Sequence, residues 1–215
     1  MNNELSKIKN QLHRHQSALK KCQQCPDMYG PPVCGNAVIS PIMLIGQAPG
    51  DKEIIIPKPF AWTAGKTLFK WFNQLGVDEE RFRQLIYITA VCRCFPGKKP
   101  RGGDRVPNLT EIKNCSHWLN REFSLLQPRL IIPVGKLAIS QYLEVKKLVD
   151  VIGKLHKVEI NQEVVDCIPL PHPSGASTWH ITEPGKTLLL DALALIQQHP
   201  VWQQHMKHDI KLKQL

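Results

Sequence analysis

No stretch of this 215-residue chain approaches the roughly 18 consecutive apolar residues of a membrane span, so no membrane partner is expected. Residues 1–21 are polar and helical in pattern and lack the apolar core of a signal peptide. The cysteines number seven, an odd count that argues against a secreted disulfide framework and points to a reducing cytoplasm. Internal repeats and low-complexity linkers are missing too. One domain over residues 1–215 is therefore expected, with an N-terminal helix over 1–21 and a basic tail over 200–215. Acidic residues are scarce beside basic ones, 18 against 28, and the resulting net charge of +10 suits a polyanionic partner.

What is present alternates strand-like with helix-like segments, the pattern of an α/β fold with a mostly parallel sheet. Ile42–Ile45 is a short apolar run ending at Gly46, and Leu85–Val91 and Leu130–Val134 read as further strands. Residues 156–160 and 163–170 alternate about Asn161-Gln162 as a hairpin does. Helices are expected over Thr67–Leu75, from Thr110 as cap to Leu126, over Lys136–Leu143 and over Glu183–His199. The unusual loops all follow strands, and open α/β sheets bind ligands outside the carboxyl ends of their strands. Loops 46–53, 94–105 and 171–177 are thus expected to share one site.

Cys22 and Cys25 form a Cys-Gln-Gln-Cys turn, while Cys94 and Cys115 stand far downstream with twenty residues between them. Thiolates gathered from distant segments suit a soft metal centre, zinc or an iron–sulfur cluster. Zinc ribbons pair two tight knuckles, so this spacing fits a cluster better. Buried reduced thiols are the alternative. No His or carboxylate stands near these cysteines at a spacing that suggests a hydrolytic zinc site.

Between Cys94 and Cys115 lies a Gly- and Pro-containing loop. It and the residue before Cys94 supply Arg93, Lys98, Lys99, Arg101 and Arg105, a set suited to phosphates. Gly46-Gln47-Ala48-Pro49-Gly50 is a rigid turn able to aim backbone N–H groups, and it lacks the glycine pattern of a dinucleotide loop. Asp51 and Glu53 follow, either of which can face a cavity and orient water. Phe60 offers a stacking face. His172, fixed between two prolines, can donate to a developing anion. The stretch from Ser174 and Gly175 to Ser177 lets amides approach phosphates, and Trp179 is suited to wedging into a base stack or to packing.

Four motifs in order resemble the iron–sulfur branch, family 4, of the uracil-DNA glycosylase superfamily. The family's GEAPG-x-x-E reads here Gly46-Gln47-Ala48-Pro49-Gly50-Asp51-Lys52-Glu53. Its G-R-P-F-x-G-x-A-G is similar to residues 57–65, its T-N-V-V-K-C-R-P-P to residues 89–97, and its His-Pro-Ser to residues 172–174. The resemblance implies a three-layer α/β/α fold around a four-stranded, mostly parallel sheet. It implies a structural [4Fe–4S] cluster on Cys22, Cys25, Cys94 and Cys115, and a DNA partner carrying a deaminated base. Phe60 would stack on the extruded base, Gln47 and Ala48 would grip it, and His172 would stabilise the departing anion. Ser174 and Gly175 would press on flanking phosphates. A monomer is expected.

Departures from the family pattern bear on the chemistry. Gln47 replaces a Glu, leaving Glu53 as the carboxylate for orienting water. Ala90 replaces the Asn that would read the uracil edge, which relaxes discrimination. Trp62 replaces a glycine, and the basic loop is longer by residues such as Gly102, Gly103, Asp104 and Arg105. The expectation is a monofunctional glycosylase that excises uracil or a related base. A non-catalytic iron–sulfur DNA-binding module on the same fold is the alternative.

Overall fold

A computed structural model describes residues 2–175 and 177–212. In chain order the helices are α1 (Asn2–Leu19), α2 (Thr63–Asn73), α3 (Glu79–Leu85), α4 (Leu109–Leu126), α5 (Lys136–Ile139), α6 (Gly185–Gln198) and α7 (Pro200–Leu212). The strands are β1 (Ile42–Gly46), β2 (Tyr87–Ala90), β3 (Leu130–Pro133), β4 (His156–Ile160) and β5 (Glu163–Cys167). They form one sheet in the order β2-β1-β3-β5-β4. Four strands run parallel, and β4 pairs antiparallel on the outer edge of β5 through a turn in which Asn161 and Gln162 both take positive φ. The sheet thus has five strands rather than the expected four, because the hairpin adds its first arm as an edge strand.

Side chains alternate across β1. Ile42 and Leu44 enter one core with Leu68, Phe72, Phe82, Leu193 and Trp202, contributed by α2, α3, α6 and α7. Met43 and Ile45 enter the other with Leu12, Leu119 and Phe123, contributed by α1 and α4. Period-2 alternation therefore sorts the buried residues onto two faces, and helices cover both.

Several boundaries differ from expectation for local reasons. α3 displaces the start of the second strand: Asp78 caps it by accepting the Arg81 N–H, so Leu85 ends a helix. α4 is capped by Asn108 rather than Thr110, in a reciprocal box with Glu111. α5 stops at Ile139, short of Leu143. The expected tail at 200–215 is helical through Leu212, because Val201, Trp202 and Met206 bury themselves, with Trp202 stacked on Phe72 at 5.8 Å between ring centroids. Residues 213–215 and Ala176 lie outside the described residues. Among the described residues, no helix is long and apolar enough to cross a membrane.

Candidate functional site

The three loops expected on one rim do meet there. A cavity of about 650 Å³ is lined by Gly46–Glu53 after β1, by Thr89, Ala90, Lys99 and Gly102–Arg105 at and after β2, and by His172, Ser174 and Gly175 after β5. Pro59, Phe60 and Trp62 form another wall. Gln47, Ala48, Phe60, Ala90 and His172 are thereby brought together.

His172 follows the short bridge that pairs Leu170 with Val134. Its ring packs against Gly135, whose φ of +86° and absent Cβ make room that no other residue would leave. The Ser174 N–H donates to His172 Nδ1 at 3.2 Å, which places the ring proton of the neutral imidazole on Nε2. Burial pushes the His172 pKa down, and the opposing pull of the Asp104 carboxylate does not reverse this. A neutral ring with a fixed Nε2–H donor is what a departing base anion needs.

Phe60 adopts φ +55°, a left-handed conformation that is costly for an aromatic residue. The buried Arg83 clamps it: Nη1 donates to the Pro59 carbonyl at 2.8 Å, and Nη2 to the Phe60 carbonyl at 3.0 Å. Glu79, one turn back on α3, orients the guanidinium by accepting from Nε at 2.8 Å. On the other side Gly65 opens α2 to the Phe60 carbonyl, where any Cβ would collide. Arg83 went unnoticed in the sequence. Its nearest signal was Asp78-Glu79-Glu80, an acidic helix start that identifies α3 but not what the helix holds.

Glu53 lines the cavity with its carboxylate engaged by backbone. Its carboxylate accepts the backbone N–H groups of Gly50 and Ala61, tying the first loop to the Phe60 wall. Burial pushes its pKa up, with those two donors opposing. The basic loop also needs correction. Arg93 is 2% exposed and forms a two-pronged pair with Glu122 at 3.0 and 2.6 Å, so it is closed to DNA. Tyr87 and Thr89 each donate to the same carboxylate at 2.8 Å. Burial pushes Glu122 up, but Arg93, with His15 and Thr89, outweighs it and holds the pKa at about 2. Arg105 is engaged by Glu111, and Lys98 bridges Asp51 at 3.1 Å and Asp104 at 2.7 Å. Lys99 and Arg101 are exposed at the end of the loop. Trp179 packs on the start of α6 at Gly185 and is not among the cavity's lining residues. Ser177 donates its N–H to the Ser174 carbonyl at 2.9 Å and so shapes the turn after His172.

Cys22, Cys25, Cys94 and Cys115 line a second cavity of about 230 Å³ with Leu19, Met28 and Pro32. Among the described residues, no three His, Cys, Asp or Glu side chains converge on a single ion's position. The four thiols instead surround a space. Burial and the neighbouring thiols push Cys94 up to about 12, whereas a hydrogen bond from Cys92 leads in drawing Cys115 down to about 7. Asn114 Nδ2 donates to Cys25 Sγ at 3.8 Å. Four soft donors around one hollow, with an N–H directed at a sulfur, are a set that an iron–sulfur cluster fits.

Fold and site together define an α/β protein with a cavity of about 650 Å³ at the carboxyl ends of its strands. The sequence model of the uracil DNA glycosylase superfamily matches residues 33–194. A type-4 uracil-DNA glycosylase of Pyrobaculum aerophilum is 29% identical over 173 residues, 76% of this chain and 83% of the relative. That of Saccharolobus solfataricus is 31% identical over 168 residues, 74% and 73% of the two chains. A type-5 uracil-DNA glycosylase of P. aerophilum is 28% identical over 111 residues, 45% of each. The chain belongs to the uracil-DNA glycosylase superfamily.

Proposed function

We propose that this chain is a DNA repair glycosylase that flips uracil or a related deaminated base into the 650 Å³ cavity and hydrolyses its N-glycosidic bond, leaving an abasic site. The observation that carries this reading is His172, half-buried and neutral, with Nδ1 engaged by Ser174 and Nε2–H left to donate, in the same cavity as Phe60. Phe60 stacks on the base while Gln47 and Ala48 line the sugar side. As the bond to C1′ lengthens, negative charge moves onto the base and His172 Nε2–H stabilises it. Ala90 offers no polar pair to the base edge, so selection among deaminated bases is looser than an Asn there would give. Lys99 and Arg101 meet phosphates, while the backbone of Ser174, Gly175 and Ser177 presses on those beside the flipped nucleotide. No Lys is assigned as a nucleophile, so no lyase step is included.

Cys22, Cys25, Cys94 and Cys115 would hold a [4Fe–4S] cluster. When bound, it supplies a structural tie between the N-terminal arm, the basic loop and α4. The protein works as a monomeric single domain in a reducing cytoplasm. The test is incubation with matched oligonucleotides carrying uracil, hypoxanthine or xanthine, followed by alkali. Strand breaks at the lesion establish the glycosylase. A second reading, a DNA-binding module without catalysis, draws on Gln47 and on Glu53, whose carboxylate is engaged by backbone amides. It predicts salt-sensitive binding and no breaks on any lesion.

A further inference from the structure

Three carboxylates line the main cavity: Asp51, Glu53 and Asp104. Glycoside hydrolysis needs one of them beside the sugar, to face positive charge at C1′ and to take a proton from water. Glu53 is engaged by two backbone amides, and Gln47 carries an amide where the family pattern has a carboxylate. Asp51 and Asp104 share Lys98, at 3.1 and 2.7 Å, and differ in the loops that carry them.

Asp104 arrives by a different route. Residues 97–105 fold back on themselves: Arg105 N–H donates to the Gly97 carbonyl, Lys99 N–H to Gly103, and Gly102 N–H to Lys99, all between 2.9 and 3.0 Å. Gly97, Gly102 and Gly103 take φ of +96°, +85° and +74°, which lets so short an excursion turn back. Arg105, bound to Glu111, anchors its base to α4. The returning arm carries Asp104 against the first loop, with Oδ2 lying 3.2 Å from where a Cβ on Gly50 would stand. Lys98 holds the other oxygen at 2.7 Å. The negative charge of Asp104 is felt at both Glu53 and His172.

We propose that Asp104, delivered by the extended basic loop, is the carboxylate that activates water in this protein. This inference rests on the glycosylase reading. A water between Asp104 and the sugar attacks C1′, and the C1′–N bond breaks with its electron pair leaving on the base. One proton of the water passes to Asp104 and then to solvent, while the base anion, held by His172, is protonated from solvent. Lys98 keeps Asp104 aimed. The loop that supplies DNA-facing cations at Lys99 and Arg101 would thereby also complete the catalytic set.

The experiment compares wild type, Asp104→Asn and Asp51→Asn in single-turnover excision of uracil from duplex DNA, with affinity for the same DNA and thermal melting measured in parallel. The expected result is a loss of at least tenfold, on the order of 100-fold, for Asp104→Asn, with DNA affinity and melting unchanged. Asp51→Asn, which removes the other half of the Lys98 bridge, should lose markedly less activity than Asp104→Asn. An Asp104→Asn loss under tenfold would overturn the proposal. So would a loss matched by weaker DNA binding or a lower melting temperature, or one shared equally by Asp51→Asn, since each describes a latch rather than a base. Wild-type protein that releases no base would overturn the glycosylase reading, and this assignment with it.

Discussion

Two arginines, ten residues apart in sequence, are buried in this protein and serve opposite ends. Arg93 meets a carboxylate: Glu122 takes both prongs, Tyr87 and Thr89 donate to it as well, and the charges cancel in the core. Arg83 meets backbone carbonyls, and what it fixes is the left-handed conformation of Phe60. The first arrangement fastens β2 and the cysteine loop to α4, as a matter of stability. The second holds one residue in a conformation it would not choose, as a matter of function. A buried cation in this fold is thus defined by its acceptor, not by its burial.

Breaking the Arg93 side should cost most. Arg93→Met leaves Glu122 ionised and unpaired in the core, with an expected loss of about 3–5 kcal/mol read by chemical denaturation. The Arg93→Met/Glu122→Leu double variant should recover a large part of that loss, because no stranded charge remains. His172→Ala leaves both arginines in place and should lower single-turnover excision by about 100- to 1000-fold with DNA affinity retained, the size of a lost anion-stabilising donor. Arg83→Met should release the Phe60 turn. An excision loss of about tenfold with a weaker apparent substrate affinity, beside a stability change of about 1–3 kcal/mol, is the signature expected of a positioning residue. The smallest effect belongs to the exposed cations. Lys99→Ala and Arg101→Ala should each reduce the salt dependence of DNA binding by about one counterion and leave melting unchanged.

The His172 ring gives a pH check. Burial lowers its pKa, so an NMR titration should place its midpoint below the ordinary value of about 6.5. The folded value lies below the unfolded one. The neutral ring therefore contributes stability that is fully present above the unfolded value and is lost as pH falls through that value toward the folded one. Asp104 and His180 are the charged and titratable neighbours that act on it, in opposite directions.

Much of the site was legible because its chemistry is local. Pro171-His172-Pro173-Ser174 carries its own geometry, since two prolines and one neighbouring amide orient the ring. The apolar runs at Ile42–Ile45 and Leu130–Val134 could be read as strands, and loops after parallel strands necessarily share a rim. The failures share a cause as well. Arg93 and Arg105 looked like members of one basic patch, yet their partners Glu122 and Glu111 lie on α4, and composition cannot say which charges will meet. Glu53 looked like a water-orienting carboxylate from its place after the Gly46–Gly50 turn and at the end of the family motif, neither of which shows the amides of Gly50 and Ala61 that engage it. Trp202 and Met206 looked like part of a tail because their partners lie far upstream, in α2 and α3.

By itself the sequence determined the class of fold, the cysteine set, the aromatic and imidazole of the cavity, and the family to which they belong. Those follow from periodicity, turn chemistry and short motifs, each decided within a few residues. Only the tertiary structure decided which cations are neutralised, which carboxylate is engaged by backbone, and what holds Phe60 in its turn. Such questions depend on pairings across the chain, where a few ångströms separate a buried ion pair from a hand extended to DNA.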